Sequence, residues 1–358
     1  MNMPTSPTVI HVLPHLRRVG NGIVNVTVDL ALAQSKEGMT VHVVAPAGEL
    51  GNALRDGGVT THDLPAPGRG VGRTMKIIGA LRGILSTVDA DIVHAHTTTL
   101  TLLTRAALSI SRSPRPPLVA TAHNQFDART RLLRTASAVI AVSESNGETL
   151  RRWFGSRRVT VIRNGISPTT SASTVELRRP AVLFVGGLND RKGVADLLDA
   201  WSSVIRSIGP TATLYIVGDG PDRQKYEHLA DALDLGQTVR FVGFSPSPQS
   251  YMRSADLFVL PSHREPFGLV LAEARIAGLP IISTNVDGIP EVLEHGRAGI
   301  MLPVADVPAL TQALHWLITD PESRARLAHS AADNTGWLGV ERMTSETHEL
   351  YERLLVRK

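Results

Sequence analysis

Two glutamates, Glu265 and Glu273, stand eight positions apart in "HREPFGLVLAEARIAGLP", residues 263–280, within an otherwise mostly apolar run. Proline is accepted in a first helical turn and disfavoured inside a helix, so Pro266 and Gly268 predict a helix that starts at Phe267 or Gly268. Glu265 then belongs to the loop before the helix. Glu273 lies within it, about a turn and a half along. Such acids are not a side-by-side pair sharing a proton. A phosphate resting at this helix N-terminus, where anions are favoured, would have Glu265 on one side and Glu273 on another.

Other residues of the right type also fall at the ends of short apolar runs. In "FVGGLNDRKGVADLL", 184–198, Lys192 and Gly193 close a loop between a strand and a helix, and an ammonium with free amides suits a diphosphate. The plain alternative is a solvated lysine. In "RRVGNGIVNV", 17–26, Gly20 and Gly22 flank Asn21 ahead of a long helix and would let backbone amides approach an anion. The third glycine of a dinucleotide fingerprint is missing there, and a tight turn is the competing reading. His123 in "TAHNQF" ends the strand run "LVATA" and is a candidate functional group. His94 and His96 in "DIVHAH" read first as packing. The "DAD" at 89–91 has an Asp-x-Asp form but precedes a strand, so it reads as a surface turn, and no metal is expected.

These loops need a scaffold. "TVIHVL", "VHVVA", "DIVHAH", "LVATAH", "AVIAVS" and "VTVIRN" read as strands of a first half, separated by stretches of helical period. "AVLFVGG", "TLYIVGDG", "VRFVG", "LFVLPS", "PIIST" and "GIMLP" repeat the scheme in a second half. Alternation of this kind predicts an α/β protein of two doubly wound, Rossmann-like domains facing across a cleft, with ligands beyond the carboxyl ends of the strands. The boundary falls in "NGISPTTSASTVELRRP", which gives domains at 1–166 and 167–340. Residues 341–358 read as a terminal amphipathic helix with Met343, Leu350, Tyr351 and Leu354 on one face.

Composition narrows the class. The 358 residues fit two domains, and the absence of cysteine excludes disulfides and thiolate metal sites. No charged leader precedes an apolar run and no eighteen apolar residues run together, so a soluble, unprocessed, cytoplasmic protein is expected. Residues 1–166 hold 19 Lys and Arg against 10 Asp and Glu, whereas 167–358 hold 18 against 23. The basic first half suits an anionic membrane surface at the inner face or an acidic acceptor; a merely solvated basic surface is the alternative. Nucleic acid is not expected, given 4% aromatic content, no binding motif and an acidic second half.

Taken together, these segments resemble the retaining glycosyltransferases of family 4, which have the two-domain GT-B fold. Their E-P-F-G followed by a second Glu stands here as "EPFGLVLAE", Glu265 to Glu273. "AGLPIISTNVDGIPEVLEHGRAGIML" is similar to the run that follows it in the family. "DIVHAH", "TAHN", "AVSES", "VIRNGI", "VGGLNDRKG" and "IVGDGP" come before it in the family's order, so the resemblance spans nearly the whole chain. It implies a nucleoside diphosphate sugar as donor, no cofactor, and a glycan, lipid-linked or natural-product acceptor of the kind met in polysaccharide assembly. By resemblance Glu265 contacts the donor sugar and steadies positive charge near the anomeric carbon, while Glu273 accepts from the ribose hydroxyls. Lys192 and the amides of Phe267, Gly268, Leu269 and Val270 neutralise the diphosphate. Gly20, Asn21 and Gly22 approach the donor from the first domain, and His123 faces the sugar. Backbone around Val242 and Gly243 is the expected site for the base. The terminal helix crosses back to the first domain in that fold; a helix that stays on the second domain is the plain alternative.

One position departs from the pattern. Many relatives carry arginine in G-R-L-x-x-x-K-G, and here Gly187 takes its place, leaving Arg191 as the candidate second diphosphate contact. Breaking a glycosyl-phosphate bond leaves a diphosphate anion and an oxocarbenium-like sugar, so cations and amides at the leaving group carry the catalysis and no metal is needed. In the family the leaving phosphate oxygen is thought to take the acceptor's proton on the same face, with a covalent Glu265 intermediate as the alternative. The runner-up functions are a nucleotide-sugar epimerase or hydrolase of the same architecture, or a catalytically silent donor- or glycan-binding partner.

Overall fold

A computed structural model of the chain describes residues 7–20, 22–66, 68, 70–110, 115–124, 128–167 and 173–356. By internal contacts it divides into two compact units. The first is Met1–Ser167 together with Gly339–Lys358, and the second is Pro168–Leu338.

The first unit is built on seven parallel strands: β1 (Thr8–Val12), β2 (Thr40–Ala45), β3 (Thr60–Asp63), β4 (Ile92–Ala95), β5 (Leu118–Ala122), β6 (Ala138–Ala141) and β7 (Val159–Val161). Their spatial order is β3-β2-β1-β4-β5-β6-β7. β4, β5 and β6 are buried at every position, the pattern of parallel strands covered by helices on both faces. Six of the seven are the runs read from the sequence. β3, "TTHD", was missed because a half-exposed edge strand has no apolar run to mark it. Asp91 of the "DAD" turn accepts from the Thr8 amide at the amino end of β1, 2.9 Å away.

The helix Val340–Leu355 belongs to this unit. It packs against the helix Gly22–Lys36 and buries Met343, Leu350 and Tyr351, while Leu354 stays half-buried. Where it begins, Ile166 and Gly339 form a parallel bridge, and the Val340 amide donates to the Ile166 carbonyl at 3.1 Å. Gly165 fits under that bridge only because it lacks a side chain: a Cβ there would lie 2.5 Å from the Gly339 oxygen.

The second unit has six parallel strands: β8 (Ala181–Val185), β9 (Thr213–Val217), β10 (Val239–Gly243), β11 (Leu257–Leu260), β12 (Ile281–Thr284) and β13 (Ile300–Leu302), in the order β10-β9-β8-β11-β12-β13. All six correspond to runs read from the sequence. The helix Val194–Ile208 buries Trp201 completely and packs on the helix Val307–Thr319. The α/β class with two doubly wound sheets is therefore what the chain adopts. Each sheet has one point at which successive connections diverge to opposite sides, between β1 and β4 in the first and between β8 and β11 in the second. Ligand sites of doubly wound sheets form at such points, beyond the carboxyl strand ends.

Candidate active site

In the second unit the loops leaving β8 and β11 lean on one another. The His263 amide donates to the Arg191 carbonyl at 2.8 Å, and the His263 ring lies 2.6 Å from Asp196. Gly193 has φ 66°, and a Cβ there would stand 2.0 Å from the Pro261 carbonyl oxygen, so only glycine allows the approach. The contact brings the two groups singled out in the sequence together: the Lys192 ammonium is ion-paired with the Glu265 carboxylate. Their side chains keep 18% and 12% of their exposure, enough for a ligand to reach either. Asp287 holds the loop from the other side, accepting from the Glu265 amide at 2.9 Å and from Arg264 Nε at 3.0 Å.

The helix begins at Leu269, one residue later than the latest start read from the sequence, because Gly268 takes a left-handed cap conformation with φ 99°. The first amides to bond back are those of Leu271 and Ala272, both to the Gly268 carbonyl. The amides of Phe267, Gly268, Leu269 and Val270 make no backbone hydrogen bond to another described residue, so an anion-binding end is left beside Glu265. Glu273 follows as the fifth helical residue, half-buried.

Val242 and Gly243 end the edge strand β10 at a register shift, with Gly243 at φ 84° and its carbonyl accepting from the Gly218 amide at 2.8 Å. Gly187 is exposed, and a Cβ there would make only an ordinary contact of 3.4 Å with Asn189, so an arginine is sterically admissible where this chain lacks one. Arg191 is exposed two residues beyond Asn189.

Arg275, two residues after Glu273, was missed by sequence reasoning, since an arginine at the end of an amphipathic helix reads as solvated. It is completely buried. Its guanidinium donates to the carbonyls of Ala331 (2.9 Å), Val292 (2.7 Å) and Asp333 (2.6 Å) and to the Glu294 carboxylate (2.8 Å). Burial alone would raise the Glu294 pKa, but hydrogen bonds from Arg297, Arg275 and Trp337 outweigh it and hold the acid at about 2. Arg275→Met should lower stability by about 3–5 kcal/mol, because it leaves three carbonyls without their buried donor and takes one of two arginines from the Glu294 carboxylate. Chemical denaturation followed by tryptophan fluorescence measures this, and a midpoint unchanged from wild type would count against it.

In the first unit, Gly20 is exposed with φ 66°, Gly22 opens the helix Gly22–Lys36, and Asn21 lies outside the described residues. His123 directly follows β5 and borders an open pocket lined also by Thr97, Thr98, Thr99, Asn124 and Arg129. Behind it, the histidines that read as packing form a connected group. His11 on β1 and His94 on β4 are register partners and, with His96, are buried. His96 approaches His123 at 3.3 Å, and the Tyr351 hydroxyl meets His94 Nδ1 at 2.7 Å. Burial pushes the His11 pKa down to about 4 and that of His123 to about 3; His94 and His96 are held well below the usual range by burial and by neighbouring rings. His11 was not singled out from the sequence, because one histidine inside "TVIHV" gives no sign of the partners the sheet assembles around it.

Two doubly wound parallel sheets in one chain make the GT-B fold class. Comparison with known proteins agrees: residues 20–170 match the family described as Glycosyltransferase Family 4, and residues 169–334 match Glycosyl transferases group 1. The chain is 30% identical over 288 residues to glycogen synthase of Mycobacterium tuberculosis, covering 72% of this chain and 68% of that one. It is 28% identical over 367 residues to phosphatidyl-myo-inositol mannosyltransferase of Mycobacterium leprae, covering 95% of each. Its structure is similar to that of Anabaena HepE in complex with UDP-glucose, with a TM-score of 0.81 at 21% identity over 97% of this chain and 100% of that one. The chain belongs to the family 4 glycosyltransferases and is a glycosyltransferase. Among the described residues no helix is long and apolar enough to cross a membrane.

Proposed function

We propose that this glycosyltransferase moves a sugar from a nucleoside diphosphate sugar, with retention of anomeric configuration, to a glycan, lipid-linked or natural-product acceptor. The observation that carries the reading is the Lys192–Glu265 ion pair beside the unbonded amides of residues 267–270. In this reading the ammonium and the amides hold the diphosphate and stabilise the charge that develops on it as the glycosidic bond breaks. Glu265 holds the sugar hydroxyls and steadies the oxocarbenium-like carbon, and Glu273 accepts from the ribose. The acceptor's proton passes to the leaving phosphate oxygen, so no enzyme base is required. A carboxylate already paired with an ammonium is a weak nucleophile, which favours this route over a covalent intermediate on Glu265. His123, at its pocket in the first unit, contacts the transferring sugar. Backbone at Val242 and Gly243 serves the base, and Gly20 and Gly22 serve the donor.

A thermal-shift panel of nucleoside diphosphate sugars tests the donor assignment. One donor should raise the apparent Tm, and Lys192→Ala should abolish that rise; no shift with any uridine, guanosine or adenosine diphosphate sugar would sink the reading. The anomeric configuration of the product, read by NMR coupling, tests retention. The basic excess of residues 1–166 favours an anionic acceptor or lipid surface, so liposome binding should rise with anionic lipid and fall with salt.

A further inference from the structure

The buried histidines behind the first-unit pocket form a single file of hydrogen bonds. Gln34 Oε1 lies 2.7 Å from His11 Nε2, His11 Nδ1 lies 3.0 Å from His96 Nε2, and His96 Nδ1 lies 3.3 Å from His123 Nε2. A neutral imidazole has one donor nitrogen and one acceptor nitrogen, so the state of each ring dictates that of the next. With its Oε1 toward the ring, Gln34 accepts there, which puts the proton of His11 on Nε2 and leaves Nδ1 as a lone pair. That lone pair takes the Nε2 proton of His96, whose Nδ1 then needs a donor. Thr27 Oγ1 lies 3.1 Å away, but its proton is directed to the Ile23 carbonyl at 2.7 Å, so His123 Nε2–H must supply it.

We propose that Gln34, His11 and His96 are positioning residues that lock His123 in its Nε2–H form, presenting Nδ1 as a hydrogen-bond acceptor for a hydroxyl of the sugar being transferred. The catalytic part of this inference rests on the reading that His123 contacts that sugar. Burial keeps the three rings of the file neutral at physiological pH, so it carries hydrogen-bond direction and no charge. Ligand atoms of His11, His94 and His96 also lie within 4.8 Å of one another, a spacing that could gather around a metal ion. The hydrogen bonds favour the relay: His94 is occupied at both nitrogens, by Tyr351 and by Thr121, each at 2.7 Å, and His11 is occupied at both by Gln34 and His96.

The test is two-bond proton–nitrogen correlation NMR on histidine-labelled full-length protein at pH 7, which assigns the tautomer of each ring. His11, His96 and His123 should all be in the Nε2–H form. Gln34→Met removes the acceptor that sets the direction; Thr27 Oγ1 can then accept from His96 Nδ1–H, so His123 should gain the Nδ1–H form. The kcat/KM for transfer should fall about tenfold, as for one lost hydrogen bond. A burial role alone would not move the His123 tautomer from this distance. An Nδ1–H form of His123 in the wild type, or no change in Gln34→Met, overturns the proposal. Zn²⁺ binding that moves the nitrogen shifts of His11, His94 and His96 together overturns it in favour of a metal site. A tautomer change with intact kcat/KM overturns the catalytic role of the relay when His123→Ala is slow. When His123→Ala is also fully active, the reading of His123 itself has failed.

Discussion

Lys192→Ala should lower kcat/KM for sugar transfer by at least a factor of about a hundred, the effect typical of losing one preorganised group at a developing charge. The expectation depends on how little else is available at the leaving group. The amides of residues 267–270 supply partial positive charge, and Gly187 supplies no side chain where many relatives carry an arginine. In the proposed reading the ammonium supplies most of the cationic charge the diphosphate meets, with exposed Arg191 the other candidate, and its loss leaves Glu265 as an unpaired acid facing an anion. Glu265→Gln in the same background removes that repulsion but also the negative charge that steadies the oxocarbenium-like carbon, so the double variant should be no faster than Lys192→Ala. Gly187→Arg alone should raise the rate, since the position is open and a second cation would reach the same phosphates. Steady-state kinetics with the donor found by thermal shift checks all three. A Lys192→Ala enzyme within threefold of wild type would falsify the assignment.

The second large effect is on stability against acid. In the unfolded chain the histidines titrate near 6.5, whereas His11 in the fold is held at about 4 by burial. Below pH 6.5 the unfolded state therefore binds more protons than the folded state, and stability falls as pH drops through that window toward 4. For His11 alone the loss by pH 5 is about 2 kcal/mol. His94, His96 and His123 are shifted the same way and add to it. Glu294, held at about 2, contributes only below the ordinary carboxylate range and leaves the window from 7 to 5 to the histidines. Asp29, raised by burial, works in the opposite direction. The midpoint of thermal or urea unfolding should fall steeply between pH 7 and 5, and His11→Asn should flatten the slope. A flat profile would show that the histidines are solvated.

How much of this was legible in the sequence depended on the range of each signal. Pro266 and Gly268 separated Glu265 from Glu273 because helix starts are governed by residues within one turn, and the start was misread by only a residue. Among the described residues twelve of thirteen strands announced themselves by apolar runs, and β3 lacked one. The pairing of Lys192 with Glu265 spans 73 positions and depends on Gly193 sitting against Pro261, which no local pattern encodes. Asp287 and Arg275 escaped for the same reason: their partners lie in other loops. The histidine file was missed since its members come from β1, β4, β5 and the helix behind them, and only the sheet order makes them neighbours.

The bridge between Ile166 and Gly339 has a consequence for how such a chain can be engineered or evolve. The first unit is interrupted by the whole of the second, and the two points of interruption are hydrogen-bonded to each other within the first unit. Topologically the second unit is an insert with adjacent ends. Exchanging 168–338 for the matching segment of another family member would leave the host sheet, its histidines and its terminal helix in place. Conversely, any fragment meant to preserve the first unit must carry residues 339–356, since cutting at the apparent halfway boundary removes Tyr351 from His94 and uncovers the helix Gly22–Lys36.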